Sequence, residues 1–360
     1  MEPLKEMFNK AFYQHFALQV ANVYKEFDTK RFLSDVTANM EALSLNQRMR
    51  NTSVVLKKHL PQDYKKAIAI LTKVIPNTRR GYTNLVFPDF VGMYGHEHFD
   101  VSMNALKYFT QFGSSEFAIR EFLKRDFSKT ISLMHEWAKD KNHHVRRLAS
   151  EGSRPRLPWS FKLDAVIADP KTTAAILEAL KNDEELYVRK SVANHLNDIS
   201  KEHPGYMIGL VSGWDKANAN TAWIVKHASR TLIKKGHSDS LSVFNFEKNV
   251  KATIENFKIK KNTIKLGEAL EFSFDLVSGK TTDQKLVIDY VIWYQKKSAD
   301  LSPKVFKLKE LVLQPKQSIA INKKQVFKDF TTRKHSAGEH RVEIQVNGKI
   351  LHGQAFKLVI

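Results

Sequence analysis

The chain has 360 residues, 42% of them hydrophobic and 27% charged, with a formal net charge of +20, which is enough for two or three domains of ordinary soluble composition. The charge points to a polyanionic partner such as nucleic acid, with an acidic membrane surface as the lesser fit. The absence of cysteine excludes disulfides, thiol nucleophiles, zinc ribbons and cysteine-ligated iron–sulfur clusters.

No signal peptide is expected at the first residues, Met1 to Glu6, where no basic run is followed by an apolar one. No apolar run approaches the length that spans a bilayer. Residues 1 to about 240 read as helical. Lys5, Phe8, Phe12 and Phe16 mark an early periodic segment, and Ala67, Ile70, Leu71 and Val74 mark another. His96 and His98 stand two apart, off a common helix face, and no third ligand accompanies them, so no metal site is expected there. Glu116 opens the segment Glu116-Phe117-Ala118-Ile119-Arg120. At a helix start its charge is favoured by the dipole, and Arg120 lies one turn on as a partner. That structural role stands beside a role in a site.

Ala118-Ile119-Arg120, His144-Val145-Arg146-Arg147, Tyr187-Val188-Arg189-Lys190 and Ile224-Val225-Lys226-His227 each begin a helix with an apolar residue and then a base. Val145 to Val188 is about 43 residues and Val188 to Val225 about 37, in the range of two-helix HEAT-type repeats. Such units stack, bury a shared core and build an extended face. Val188, Val192, Leu196 and Ile199 form an apolar stripe, while Lys190, Asn194 and Asp198 fall on the opposite side. That polar row is either solvated surface or the lining of a groove. Bases recur at one place in each repeat, Lys190 among them, so one face of the stack is expected to be basic.

The most chemically dense stretch is Glu151-Gly152-Ser153-Arg154-Pro155-Arg156-Leu157-Pro158-Trp159. Arginines fork onto phosphates, tryptophan covers a cationic or aromatic group, and a carboxylate stabilises positive charge. The prolines stiffen the loop that holds them. Arg147 and Glu151 are four apart, as an ordinary surface ion pair or as part of a site. Trp159 is open to a core or a site reading. There is no P-loop, phosphate-binding glycine fingerprint or nucleophile elbow.

The pattern changes near residue 245. Ala269 to Leu276, Leu286 to Tyr294 and His340 to Val346 alternate or run apolar, with turn signals at Ser278-Gly279-Lys280, Ser302-Pro303 and Asn347-Gly348. About seven short strands are expected, forming a small lysine-rich β-sandwich. The expected domains are therefore 1–245, helical, and 246–360, all-β.

With these motifs in order, the chain resembles the AlkC branch of the AlkC/AlkD family of HEAT-like-repeat DNA glycosylases, enzymes that excise alkylated bases. The likeness covers about residues 1 to 240 and rests on Ser115 to Arg120, Val145 to Trp159 and Val192 to Ile199. Residues from about 250 on look like the immunoglobulin-like domain that some members carry. Glu121 departs from the pattern, since similar sequences often have proline there. The resemblance implies a HEAT-like-repeat solenoid followed by an immunoglobulin-like sandwich, with duplex DNA held in a basic groove. It implies that the lesion is processed without being swung into a deep pocket. It implies Glu116, Glu151, Trp159 and Asp198 as the catalytic cleft, with Arg147, Arg154 and Arg156 on or near the flanking backbone. Lys190 joins that DNA-binding set through its place in the repeat.

The chemistry is coherent on its own terms. A base methylated at a ring nitrogen, such as 3-methyladenine, is cationic and leaves as a neutral molecule. The positive charge that develops on the sugar is what carboxylates stabilise, and a tryptophan face adds cation–π attraction. The expectation is thus a monofunctional glycosylase for 3-methyladenine, with 3-methylcytosine and 1-methyladenine as further candidates. It is expected to act on duplex DNA as a cytoplasmic monomer without metal or other cofactor. The alternative is a non-catalytic HEAT-repeat scaffold for nucleic acid or protein.

Overall fold

The computed structural model describes residues 3–235, 241, 246–247, 249–330 and 334–360. Its helices run α1 Lys10–Val23, α2 Thr29–Thr37, α3 Leu45–His59, α4 Tyr64–Val74, α5 Val86–Tyr94, α6 Phe99–Phe109, α7 Glu116–Arg125, α8 Phe127–Trp137, α9 His143–Gly152, α10 Asp164–Ala168, α11 Ala174–Ala179, α12 Leu186–Ile199, α13 Pro204–Ser212, α14 Ala219–Ala228 and α15 Arg230–Lys234. None of them is long and apolar enough to cross a membrane. The strands follow as β1 Ala252–Ile259, β2 Thr263–Lys265, β3 Ala269–Ser278, β4 Gln284–Gln295, β5 Leu301–Leu313, β6 Ser318–Val326, β7 Gly338–Val346 and β8 Lys349–Val359.

The chain divides into two compact units, Met1–His203 with Trp214–Ala228, and Pro204–Gly213 with Ser229–Ile360. Residue 245, at the expected boundary, lies outside the described residues. In the first unit, α3, α5, α7, α9, α12 and α14 each pack on the next, and α4 on α6 and α8 on α11 form a second layer. This is the two-layer stacking of a HEAT-like repeat. The expected stripe of α12 is core: Val188, Val192 and Leu196 are fully buried and Ile199 nearly so. Gly152 closes α9 against α7, where a Cβ would meet Ile119 Cγ2 at 2.5 Å. The early periodic segment is not one helix. Leu4–Met7 forms a 3₁₀ turn, and the Asn9 side chain accepts the Phe12 amide at 2.8 Å to start α1 afresh.

In the second unit, β1-β3-β6 form one sheet and β2-β8-β7-β4-β5 the other. Adjacent strands are antiparallel except β2 and β8. Alternate residues such as Leu270, Phe272, Phe274 and Leu276 of β3 meet Ile288, Tyr290 and Ile292 of β4 in the core. Asn347 and Gly348 both have positive φ, 46° and 83°, and make the expected β7–β8 hairpin. The turn expected at Ser302-Pro303 lies earlier: Lys296 N donates to Asp300 O at 2.8 Å and Ala299 has φ 65°. Pro303 sits inside β5 because β5 is an edge strand, where a missing N–H costs no ladder bond. Eight strands stand among the described residues, in a two-sheet sandwich.

Candidate active site

The row of packed helices brings residues far apart in sequence onto one line. Ser115 precedes α7, its hydroxyl donating to Leu106 O at 2.8 Å, and this sets Glu116 at the helix start. In α9, Val145, Leu148, Ala149 and Gly152 face the core, which turns Arg147 and Glu151 onto the adjoining face. Arg147 pairs with Glu116, and its Nη1 also meets Ser114 Oγ at 2.8 Å. Arg147 Nη2 lies 3.5 Å from Glu151 Oε1, and Arg154 Nη1 donates to that same oxygen at 2.6 Å. Arg154 then donates to Asp198 Oδ2 from Nε at 2.9 Å, with Nη2 2.7 Å from that oxygen. Lys201 Nζ ends the series on Asp198 Oδ1 at 2.9 Å.

Acid and base therefore alternate across three successive helices of that row, as Glu116, Arg147, Glu151, Arg154, Asp198 and Lys201. The four central side chains are almost fully buried. Burial pulls the Arg147 pKa down, but Glu116 and Glu151 outweigh it and hold the value above the ordinary one. Arg154 behaves alike, with Glu151 and Asp198 outweighing burial. Among these contacts, Oε1 of Glu116 and Oε2 of Glu151 take no part.

The loop after α9 reaches away from this line. Trp159 is 73% exposed and has a left-handed backbone, φ 64°. It walls a cleft of about 890 Å³ whose other sides are α3, α5 and α7, with Arg50, Asp89 and Glu121 among the lining residues. Arg50 Nη2 pairs with Asp89 Oδ1 at 2.8 Å. Burial raises the Asp89 pKa against the pull of Arg50.

A family model described as a DNA alkylation repair enzyme matches residues 107–232, and one described as the C-terminal Ig-like domain of the uncharacterised protein YhaZ matches 253–360. The uncharacterised YhaZ of Bacillus subtilis (strain 168) is 40% identical over 359 residues, 99% of this chain and all of that protein. The alkylpurine DNA glycosylase AlkC of Pseudomonas fluorescens, solved bound to DNA containing an abasic site analog, is 46% identical, with a TM-score of 0.96 and 100% of both chains covered. The chain belongs to the AlkC branch of the DNA alkylation repair glycosylases.

In this AlkC-branch chain the structure gathers Glu116, Arg147, Glu151, Arg154 and Asp198 and leaves Trp159, Arg156 and Lys190 outside the series. Arg156 pairs with Glu202 at the surface, and Lys190 is exposed on α12, two turns before the buried Asp198. The Glu116–Arg120 pairing does not form. Glu116 goes to Arg147, and Arg120 turns inward to backbone carbonyls of Gly152, Arg154 and Phe161. His96 packs against Phe122 and His98 stacks on Tyr64. Sequence reasoning misses three residues of this AlkC-branch site. Lys201 is legible as a base three positions after Asp198. Tyr187, whose ring centroid lies 4.8 Å from the Arg147 guanidinium carbon, reads only as the apolar start of a repeat. Arg120 gives a misleading signal, because helical spacing offers Glu116 as its partner.

Proposed function

We propose that this chain excises cationic N-alkylated bases from duplex DNA, 3-methyladenine first, with 3-methylcytosine and 1-methyladenine as further substrates. It hydrolyses the N-glycosidic bond and leaves an intact abasic strand. The observation that carries the reading is the row of three carboxylates, each held by a cation and gathered from three helices far apart in sequence. A cationic base needs no protonation to leave, so the catalytic demand falls on the sugar. Glu116, Glu151 and Asp198 stabilise its developing positive charge and position water. Trp159 covers the base or sugar. Arg147 and Arg154 orient the carboxylates beside the flanking backbone, and Arg156 and Lys190 take phosphate. The exposure of Trp159 supports a lesion met in the groove rather than in a closed pocket.

Residues 1–245 are proposed as the catalytic and DNA-binding domain and 246–360 as a DNA clamp. The exposed Lys258 and Lys324 on the β1-β3-β6 sheet, with Lys260 directly after β1, support the clamp. The protein is proposed to act as a cytosolic monomer on DNA. The test is release of free bases from methylated duplex. Rapid appearance of 3-methyladenine, with strand scission only after alkali, is expected. Uracil released from a uracil duplex at a comparable rate would overturn the leaving-group argument. DNA binding with no base release would leave the scaffold reading.

A further inference from the structure

Arg120 of α7 is fully buried, and among the described residues its hydrogen bonds go to backbone carbonyls and not to a carboxylate. Its Nη1 donates to Gly152 O at 3.0 Å and to Arg154 O at 2.6 Å, and its Nη2 donates to Phe161 O. The guanidinium carbon also lies 5.4 Å from the Phe161 ring centroid. Burial, and then the nearby Arg154 charge, lowers its pKa to about 10. A cation kept in such a place is expensive, so what it holds is the question.

It holds both ends of one loop. Gly152 and Arg154 lie at the loop's start and Phe161 at its end. Between them stand Pro155, Pro158 and Trp159. Trp159 is largely exposed and sits in a left-handed backbone, so its own packing does little to place it. Arg154, whose carbonyl Arg120 grips, sends its side chain to both Glu151 and Asp198.

We propose that Arg120 is a positioning residue, fixing the 153–161 loop at both ends and through it Trp159 and the Arg154 that orders two carboxylates. This rests on the glycosylase reading of the site. Only a planar fork reaches carbonyls on both sides of a loop at once; an ammonium supplies the charge at a single point. Arg120→Lys therefore keeps the charge and loses the clamp.

The 360-residue chain contains five tryptophans, which 5-fluorotryptophan labelling resolves by ¹⁹F NMR, with Trp159→Phe assigning the signal of interest. In Arg120→Lys, the Trp159 resonance should shift or broaden while the other four stay in place. Single-turnover excision of 3-methyladenine should fall about 10-fold or more, as a small misplacement of reacting groups does. Affinity for lesion duplex should fall by a smaller factor than the rate, because Lys190 and the lysines of the β1-β3-β6 sheet lie outside this loop. Phe161→Ala loosens the same loop end from a half-buried position, and should give the same pair of changes if the lysine variant does not fold. A folded variant of either kind with an unmoved Trp159 signal and wild-type rate overturns the proposal. So does a uniform change in all five signals, which would mark general loosening. If the wild-type protein releases no base, the glycosylase reading fails, while the Trp159 signal still reports on the clamp.

Discussion

Replacing Asp198 by asparagine separates catalysis from stability, because the structure supplies a matched control. Asp198 receives Arg154 Nε at 2.9 Å, has Nη2 at 2.7 Å and meets Lys201 at 2.9 Å, with its own side chain 4% exposed. Asparagine keeps the shape and removes the charge. A charge-assisted hydrogen bond exceeds a neutral one by about 1 kcal/mol, and the Lys201 contact, on a 40% exposed lysine, adds little. The expected loss is about 2–3 kcal/mol of stability. Asp183 is equally buried, at 4%, and accepts from Arg146 Nε at 2.6 Å and Nη2 at 3.1 Å. Arg146 neighbours Arg147, but this pair lies outside the alternating series. Asp183→Asn should lose similar stability and keep its excision rate within about two-fold. Asp198→Asn should lose about 10²-fold in single-turnover rate, or about 2.7 kcal/mol of transition-state stabilisation. Thermal melts and single-turnover excision on the same preparations decide the matter. Equal rate losses in the two variants, or a wild-type rate in Asp198→Asn, would refute the assignment.

Three further outcomes are expected. Trp159→Gly relieves a left-handed backbone at an exposed position, so melting temperature should not fall while excision does; a marked drop in melting temperature would mean that the indole is structural. Asp289 is buried with neither carboxylate oxygen hydrogen-bonded among the described residues, and burial lifts its pKa from 3.8 to about 6 against the pull of Lys234 and Lys307. The folded state thus holds the proton more tightly, so stability should fall as pH rises from about 4 to about 6 and stay reduced at neutral pH. Asp289→Asn should flatten that dependence and raise the melting temperature at neutral pH, and an unchanged profile would count against it. Replacing Lys258, Lys260 and Lys324 together by glutamine should lower the slope of log affinity against log salt by about 2–3, at about 0.9 for each phosphate no longer neutralised; an identical slope by fluorescence anisotropy would remove the clamp role from this face.

The repeat architecture is legible in the sequence because periodic apolar residues need only their neighbours. The α12 stripe shows itself in this way, as does the Asn347-Gly348 hairpin. The site residues are named largely through resemblance, and their partners are not legible. Spacing displays pairs three or four apart and so offers Arg120 to Glu116. The actual pairs, Glu116 with Arg147 and Arg154 with Asp198, span 31 and 44 residues and depend on how one layer registers on the next. Pro303 misleads for a related reason. Its turn signal is local, whereas its tolerance in a strand depends on that strand lying at a sheet edge.

The alternating series also bears on how this part of the protein comes apart. In a stacked repeat, neighbours stabilise one another and ends can fray layer by layer. Here α7, α9 and α12 are tied by ions that are nearly all buried. Detaching α12 alone would leave Arg154 only Glu151 and break its buried pair with Asp198, and breaking a buried ion pair is destabilising. That penalty falls on the half-opened state and not on the intact or the fully unfolded one. The three helices should open as one cooperative unit, and amides across them should exchange with solvent at a common free energy rather than in a graded series.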